Sequence, residues 1–213
     1  MSWKTAKRLW EANQDLAEAC LKHPFVKGIA SGELSKKSFI FYVGQDAYFL
    51  ESFARAYALA LAKAPSGESI YAFRDQLDGA LDELRLHKTY AKRWGIELAP
   101  EPASATRSYT DFLLRVAWSE PVESIMAAMM PCMRLYSYLG QSLAPQLNPD
   151  SPYREWVDTY SANEFDALAA KLEELYDEHI GSDRWAEKAE GYYRTAMELE
   201  LAFFQQAYDY SST

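Results

Sequence analysis

Cysteine is nearly absent from the chain. Only Cys20 and Cys132 occur in 213 residues, too few for a disulfide framework, and neither sits in a Cys-x-x-Cys or zinc-finger spacing. Both thiols are therefore expected to be free, in a reducing compartment. Histidine is equally scarce, and His23, His87 and His179 include no Glu-x-x-His pair; Glu83 and His87 stand four apart instead, so no metal site is expected. No apolar run approaches the roughly 18 residues of a membrane-spanning helix. The basic start, Met1 to Arg8, leads into no signal-peptide core, which makes a cytoplasmic protein the expectation. Phosphate-binding loops, GxGxxG and GxSxG are missing, and three scattered histidines support no Ser-His-Asp triad. Positive charge is in deficit as well: 22 basic against 31 acidic side chains leave a net charge of −9, so nucleic acid and anionic membranes are repelled at long range.

Helix is what the remaining residues write. Nine glycines and nine prolines bound long stretches in which apolar residues recur three and four apart, the period of an amphipathic helix. Helices are expected over residues 2–23 (N-capped by Ser2), 35–64, 66–94 with Gly95 as cap, 104–118, 119–140, 152–161, 163–180 and 183–210, with connectors at 25–34 and 145–152. Nothing in the chain resembles an internal repeat or a linker between domains, so residues 1–213 are expected to form one all-α bundle of about eight helices with a site between facing helices.

Three polar side chains fall inside apolar stripes. Asp46 shares a helix face with Phe39, Tyr42, Val43, Phe49, Leu50 and Phe53, and an aspartate is too short to reach water from there. Either a protein donor, such as an arginine or a helix N-terminus, or a ligand must meet it. Glu200 lies with Tyr193, Ala196, Met197, Phe203 and Phe204; burial there would raise its pKa and let it hold a proton near neutrality, whereas at the stripe's edge its head would stay in water. Cys132 follows Ile125, Ala128 and Met129 and comes directly after Pro131, where the helix is expected to kink or break. A buried cysteine is commonly a small core residue, the reading kept for Cys20. Fifteen tyrosines add flat faces with hydroxyls that need partners, which suits a planar heteroaromatic ligand.

Further segments carry a resemblance: His23-Pro24-Phe25-Val26, Gly32-Glu33-Leu34, Tyr42-Val43-Gly44-Gln45-Asp46-Ala47-Tyr48-Phe49-Leu50, Phe53-Ala54-Arg55-Ala56 and Pro131-Cys132. Together they resemble the TenA/thiaminase II family, in its cysteine-containing branch, over nearly the whole chain. The resemblance implies a haem-oxygenase-like fold without haem or other cofactor, assembled as a homotetramer. It also implies a thiamin-salvage hydrolase that turns aminomethylpyrimidine into hydroxymethylpyrimidine and ammonia, or thiamin into hydroxymethylpyrimidine and the thiazole. By the same resemblance Cys132 is the nucleophile, Glu200 the acid/base and Asp46 the group that grips the ring's amino and nitrogen edge. Tyr109, Tyr136 and Tyr160 match tyrosines lining the pocket or bonding near the cysteine, and Phe49 takes the place of a stacking ring. Met133-Arg134 depart from an aromatic pair common after the cysteine, which leaves the leaving group open. Glu83 and His87 resemble a family segment and are assigned to structure.

Two other functions compete with the hydrolase. A pyrimidine-binding or scaffolding bundle with a merely structural cysteine would bind without turnover, and a metal-dependent oxidase on the same scaffold would carry iron or manganese.

Overall fold

The computed structural model describes residues 5–96, 101–179 and 183–210. Among these it contains ten α-helices, one short 3-10 turn and no strand. The long helices stand close to their expected limits: α4 is Lys36–Ala62, α5 Gly67–Trp94, α6 Ser104–Ser119, α7 Val122–Leu143, α8 Arg154–Ser161, α9 Asn163–His179 and α10 Asp183–Asp209.

The N-terminal third differs from expectation. The proposed cap Ser2 lies outside the described residues, and the single first helix is two: α1 (Ala6–Glu11) and α2 (Gln14–Lys22). Between them the Asn13 amide donates to the Leu9 carbonyl at 2.8 Å, a side chain competing with the helical ladder for its acceptor. The connector at 25–34 is largely helical, as α3 (Pro24–Ser31). His23 caps it by accepting the Phe25 N–H on Nδ1 at 3.2 Å, Pro24 occupies the first turn, and Gly32 closes it at φ 82°, a left-handed conformation that suits glycine. Of the kink or break expected at Pro131, the break does not occur: α7 runs through the proline.

The core gathers around α4, α7 and α10. Helix α4 packs on α5 and α6, while α7 packs on α8, α9 and α10, so the stripes bearing Asp46, Cys132 and Glu200 converge. Close approach of α7 and α8 depends on Gly140, where an added Cβ would lie 2.3 Å from the Tyr160 carbonyl carbon and 2.5 Å from Ser161 N. The α7–α9 seam is tied by Arg134, whose guanidinium donates to both Glu173 oxygens at 2.7 and 2.6 Å and to Asp166 at 2.8 Å. Two glutamines set α6, which has no side-chain cap of its own. Gln206 of α10 accepts from the Ala105 and Thr106 amides, and Gln45 of α4 accepts from Ala103 N at 2.8 Å while donating to the Glu101 carbonyl.

Candidate functional site

Glu200 of α10 is buried, at 1% exposure. The Tyr109 hydroxyl of α6 donates to Oε1 at 2.8 Å, and the Cys132 thiol of α7 is near enough to act on the carboxyl as well. Loss of water raises Glu200, Tyr109 and Cys132 pull it down and the nearby Asp46 charge pushes it up, and the balance leaves it at about 8. Burial, then the negative groups Glu200, Glu83 and Asp46, drive the Cys132 thiol well above its ordinary value, so a thiolate forms here only if the proton has somewhere close to go.

Asp46 of α4 is buried against His87 of α5. Imidazole Nε2 and Oδ2 are 2.7 Å apart, and both side chains are about as buried, at 5% and 6% exposure. Burial works against charge on His87, but the bond to Asp46, the Asp46 charge and Glu83 outweigh it and lift the imidazole to about 9. Glu83, one turn earlier, is raised by burial and by repulsion from Asp46 and accepts a short hydrogen bond from the Tyr160 hydroxyl. His87 and Glu83, expected to be structural, therefore stand at the site. The signal for this was the four-residue spacing itself, which puts both on one helical face.

Aromatic rings close the walls. Phe49 lies 4.7 Å from Tyr109 and 5.3 Å from Phe53, centroid to centroid. Tyr136 meets Tyr160 edge-on at 4.7 Å, and its hydroxyl accepts from Tyr42 at 3.1 Å, while the Tyr42 oxygen accepts from Trp156 Nε1. Asp46, Phe49, Glu83, Cys132, Tyr136 and Tyr160 line one inner cavity. Tyr109 and Glu200 are not among its lining residues but stand behind Cys132.

That cavity was expected to fit a planar ring. It measures about 10 Å³, room for a single water. Beside it opens a cleft of about 470 Å³, largely apolar, which shares Phe53, Glu83, Met133 and Phe165 with the inner cavity and extends over Tyr57, Gln76 and Leu168. Met133 thus occupies the partition between the two, whereas Arg134 faces away into its ion pairs with α9. Among the described residues no group of three or more His, Cys, Asp and Glu side chains is placed to hold a metal ion, and no helix is long and apolar enough to cross a membrane.

The chain is 36% identical to an aminopyrimidine aminohydrolase of Halalkalibacterium halodurans, over 96% of its own length and 95% of that protein's. In fold it is similar to a TenA homologue from Pyrococcus furiosus, with a TM-score of 0.90, 24% identity and coverage of 95% and 99% of the two chains. A haem oxygenase from the cyanobacterium Synechocystis shares the same all-α scaffold at a TM-score of 0.60 and 16% identity, covering 94% of this chain and 90% of its own. A family model matches residues 10–210, nearly the entire sequence, and by that match the chain belongs to the TENA/THI-4/PQQC family.

Proposed function

We propose that this chain is a thiamin-salvage hydrolase acting on aminopyrimidines, converting aminomethylpyrimidine and water into hydroxymethylpyrimidine and ammonia. The observation that carries the reading is the buried Glu200 carboxyl, bonded by Tyr109 and near enough to Cys132 for each to shift the other's proton affinity, with Cys132 and Asp46 on the walls of one cavity. A nucleophile with a base beside it, and an anchor on the same cavity, is the arrangement covalent catalysis needs.

Ionised Glu200 takes the thiol proton, and the thiolate sulfur adds to a ring carbon beside a ring nitrogen. The carbon–nitrogen π pair moves onto a ring nitrogen, which takes up a proton from solvent. Electron density returning through the ring expels the exocyclic amine from the methylene carbon, and Glu200 gives it a proton so that it leaves as ammonia. Water then adds to the methylene carbon and loses its proton to Glu200; the ring nitrogen gives up its proton, the sulfur–carbon bond breaks, and the thiolate regains its hydrogen. Asp46 fixes the ring's amino edge while Phe49, Tyr136 and Tyr160 hold its faces, so positioning supplies much of the acceleration.

In this reading the leaving group points toward Met133 and Phe165, and the volume of the adjoining cleft is room enough for the thiazole of thiamin. Assembly as a homotetramer and a cytoplasmic site of action belong to the same reading; light scattering and cell fractionation test them. The deciding experiment is turnover. Purified protein releases ammonia from aminomethylpyrimidine, and Cys132→Ala stays folded with most of that activity gone; an unimpaired variant removes the nucleophile, and binding without turnover by the unaltered chain leaves a pyrimidine-binding protein.

A further inference from the structure

The Asp46–His87 contact has a fixed polarity. Nδ1 of His87 lies 2.9 Å from the Glu83 backbone carbonyl, and a carbonyl only accepts, so Nδ1 carries a hydrogen. The tautomer is thereby set, and the 2.7 Å contact between Nε2 and Asp46 Oδ2 must contain one further proton to be a bond at all. With that proton on nitrogen the pair is imidazolium and carboxylate. Oδ2 is then committed, and among the described residues no hydrogen bond to Oδ1 is found, although Asp46 lines the cavity beside Cys132.

We propose that His87 is the specificity-determining positioning residue of this site: it holds Asp46 as a carboxylate whose Oδ1 can only accept, and so selects a ring bearing an amino donor over the same ring bearing an oxo group. The inference rests on the aminopyrimidine reading and deepens it by naming how the amino edge is chosen. An acceptor-only oxygen facing a ligand's oxo group leaves two acceptors opposed in a dry cavity, a mismatch that discriminates strongly.

Without the imidazolium the carboxylate would face a negative neighbourhood. Glu83 stands on the same helix as His87 and is hydrogen-bonded by Tyr160 of α8. Cys132 and Tyr136 of α7 and Glu200 of α10 all feel the Asp46 charge, as does Tyr42 of α4. Among the described residues His87 is the basic group in contact with Asp46. The acceptor-only character of Oδ1 therefore depends on His87: with that charge gone, any proton on the carboxyl would let an Oδ1–H donate to an oxo group.

His87→Gln tests this, because an amide can still donate to Oδ2 but carries no charge. Titrations use hydroxymethylpyrimidine and its 4-oxo analogue as probes, between about pH 6 and pH 8. The unaltered protein is expected to prefer the amino compound by about 100-fold or more, with little change across the range. In His87→Gln the preference shrinks by about tenfold or more, and the oxo analogue binds more tightly as pH falls. A preference kept within about twofold in the folded variant overturns the proposal. Nitrogen-15 NMR of His87 in the unaltered protein is the second measurement and needs no variant: both ring nitrogens protonated near neutral pH is the expected result, and either nitrogen bare, Nε2 above all, overturns it. The two readings part cleanly: amino preference and an imidazolium without turnover sink the hydrolase alone, while turnover with a bare Nε2 sinks the role given to His87.

Discussion

The Tyr109 hydroxyl reaches across from α6 to donate to Glu200 Oε1 on α10 at 2.8 Å, and it is the larger of the two hydrogen-bond effects that hold the buried carboxyl down to about 8. Tyr109 therefore sets how much Glu200 is ionised, and so how much base is available to the Cys132 thiol. The rate for the free enzyme, kcat/KM, should climb with pH toward a plateau above about 8. Tyr109→Phe removes one donor to the ionised form and moves this inflection upward by about one pH unit, lowering activity at neutral pH about tenfold. A pH–rate profile checks it; an inflection that stays in place in the variant removes Tyr109 from this role.

Glu200 also makes the fold sensitive to pH. Its folded value, about 8, lies above the ordinary 4.5, so between those limits the unfolded chain gives up a proton that the folded chain keeps. Rising pH across that window destabilises the protein on this group's account, by up to ~1.4 kcal/mol per pH unit. Glu200→Gln, neutral in both states, should match the unaltered protein near pH 4 and exceed it in stability near pH 8 while losing hydrolysis. Denaturant unfolding at the two pH values measures the difference, and equal gains at both would show that charge is not the cause.

Gly140→Ala would place a methyl against the Tyr160 backbone at 2.3 Å, and backbone cannot swing aside as a side-chain end can. Separation of α7 and α8 is the expected response, at a cost of about 1–3 kcal/mol or more. Tyr160 would move with it. Thermal unfolding reads the first effect and weakened binding of hydroxymethylpyrimidine the second; a variant with native stability contradicts the close packing.

Arg134→Met tests whether the residue after Met133 acts on chemistry or on architecture. Its guanidinium is partly buried and shared by Glu173 and Asp166, so losing it should cost roughly 1–3 kcal/mol of stability, reduced by the solvent that reaches Asp166. The amino-over-oxo preference should be unchanged, because that preference is placed on Asp46 and His87. A large shift in it, with stability intact, would assign Arg134 to ligand recognition.

Much of this molecule could be read from the chain. The period of apolar residues located the seven long helices, and the resemblance carried by the Gln45-Asp46 and Pro131-Cys132 segments agrees with the family match over residues 10–210. Burial of Asp46 and Glu200 followed from their stripes. What escaped was decided by side chains acting on backbone. Asn13 turning back on Leu9, and Pro24 with His23 starting a helix instead of merely ending one, are local choices that apolar spacing does not report. His87 was missed because a histidine four residues from a glutamate signals a shared face and not the partner on a distant helix. The cavity's size lay beyond any pattern, since it depends on how Met133 and Phe165 fill space.

A chamber with room for one water beside Cys132 cannot accept a six-membered ring with its walls as they stand. A ring enters only if those walls give, and Met133 and Phe165, which line both the chamber and the cleft, are placed to do so. Molecules are then sorted by girth at that threshold, ahead of any bond making. Trimming Met133 to a smaller residue should hasten uptake of bulky thiamin-like compounds more than that of the slim aminomethyl one.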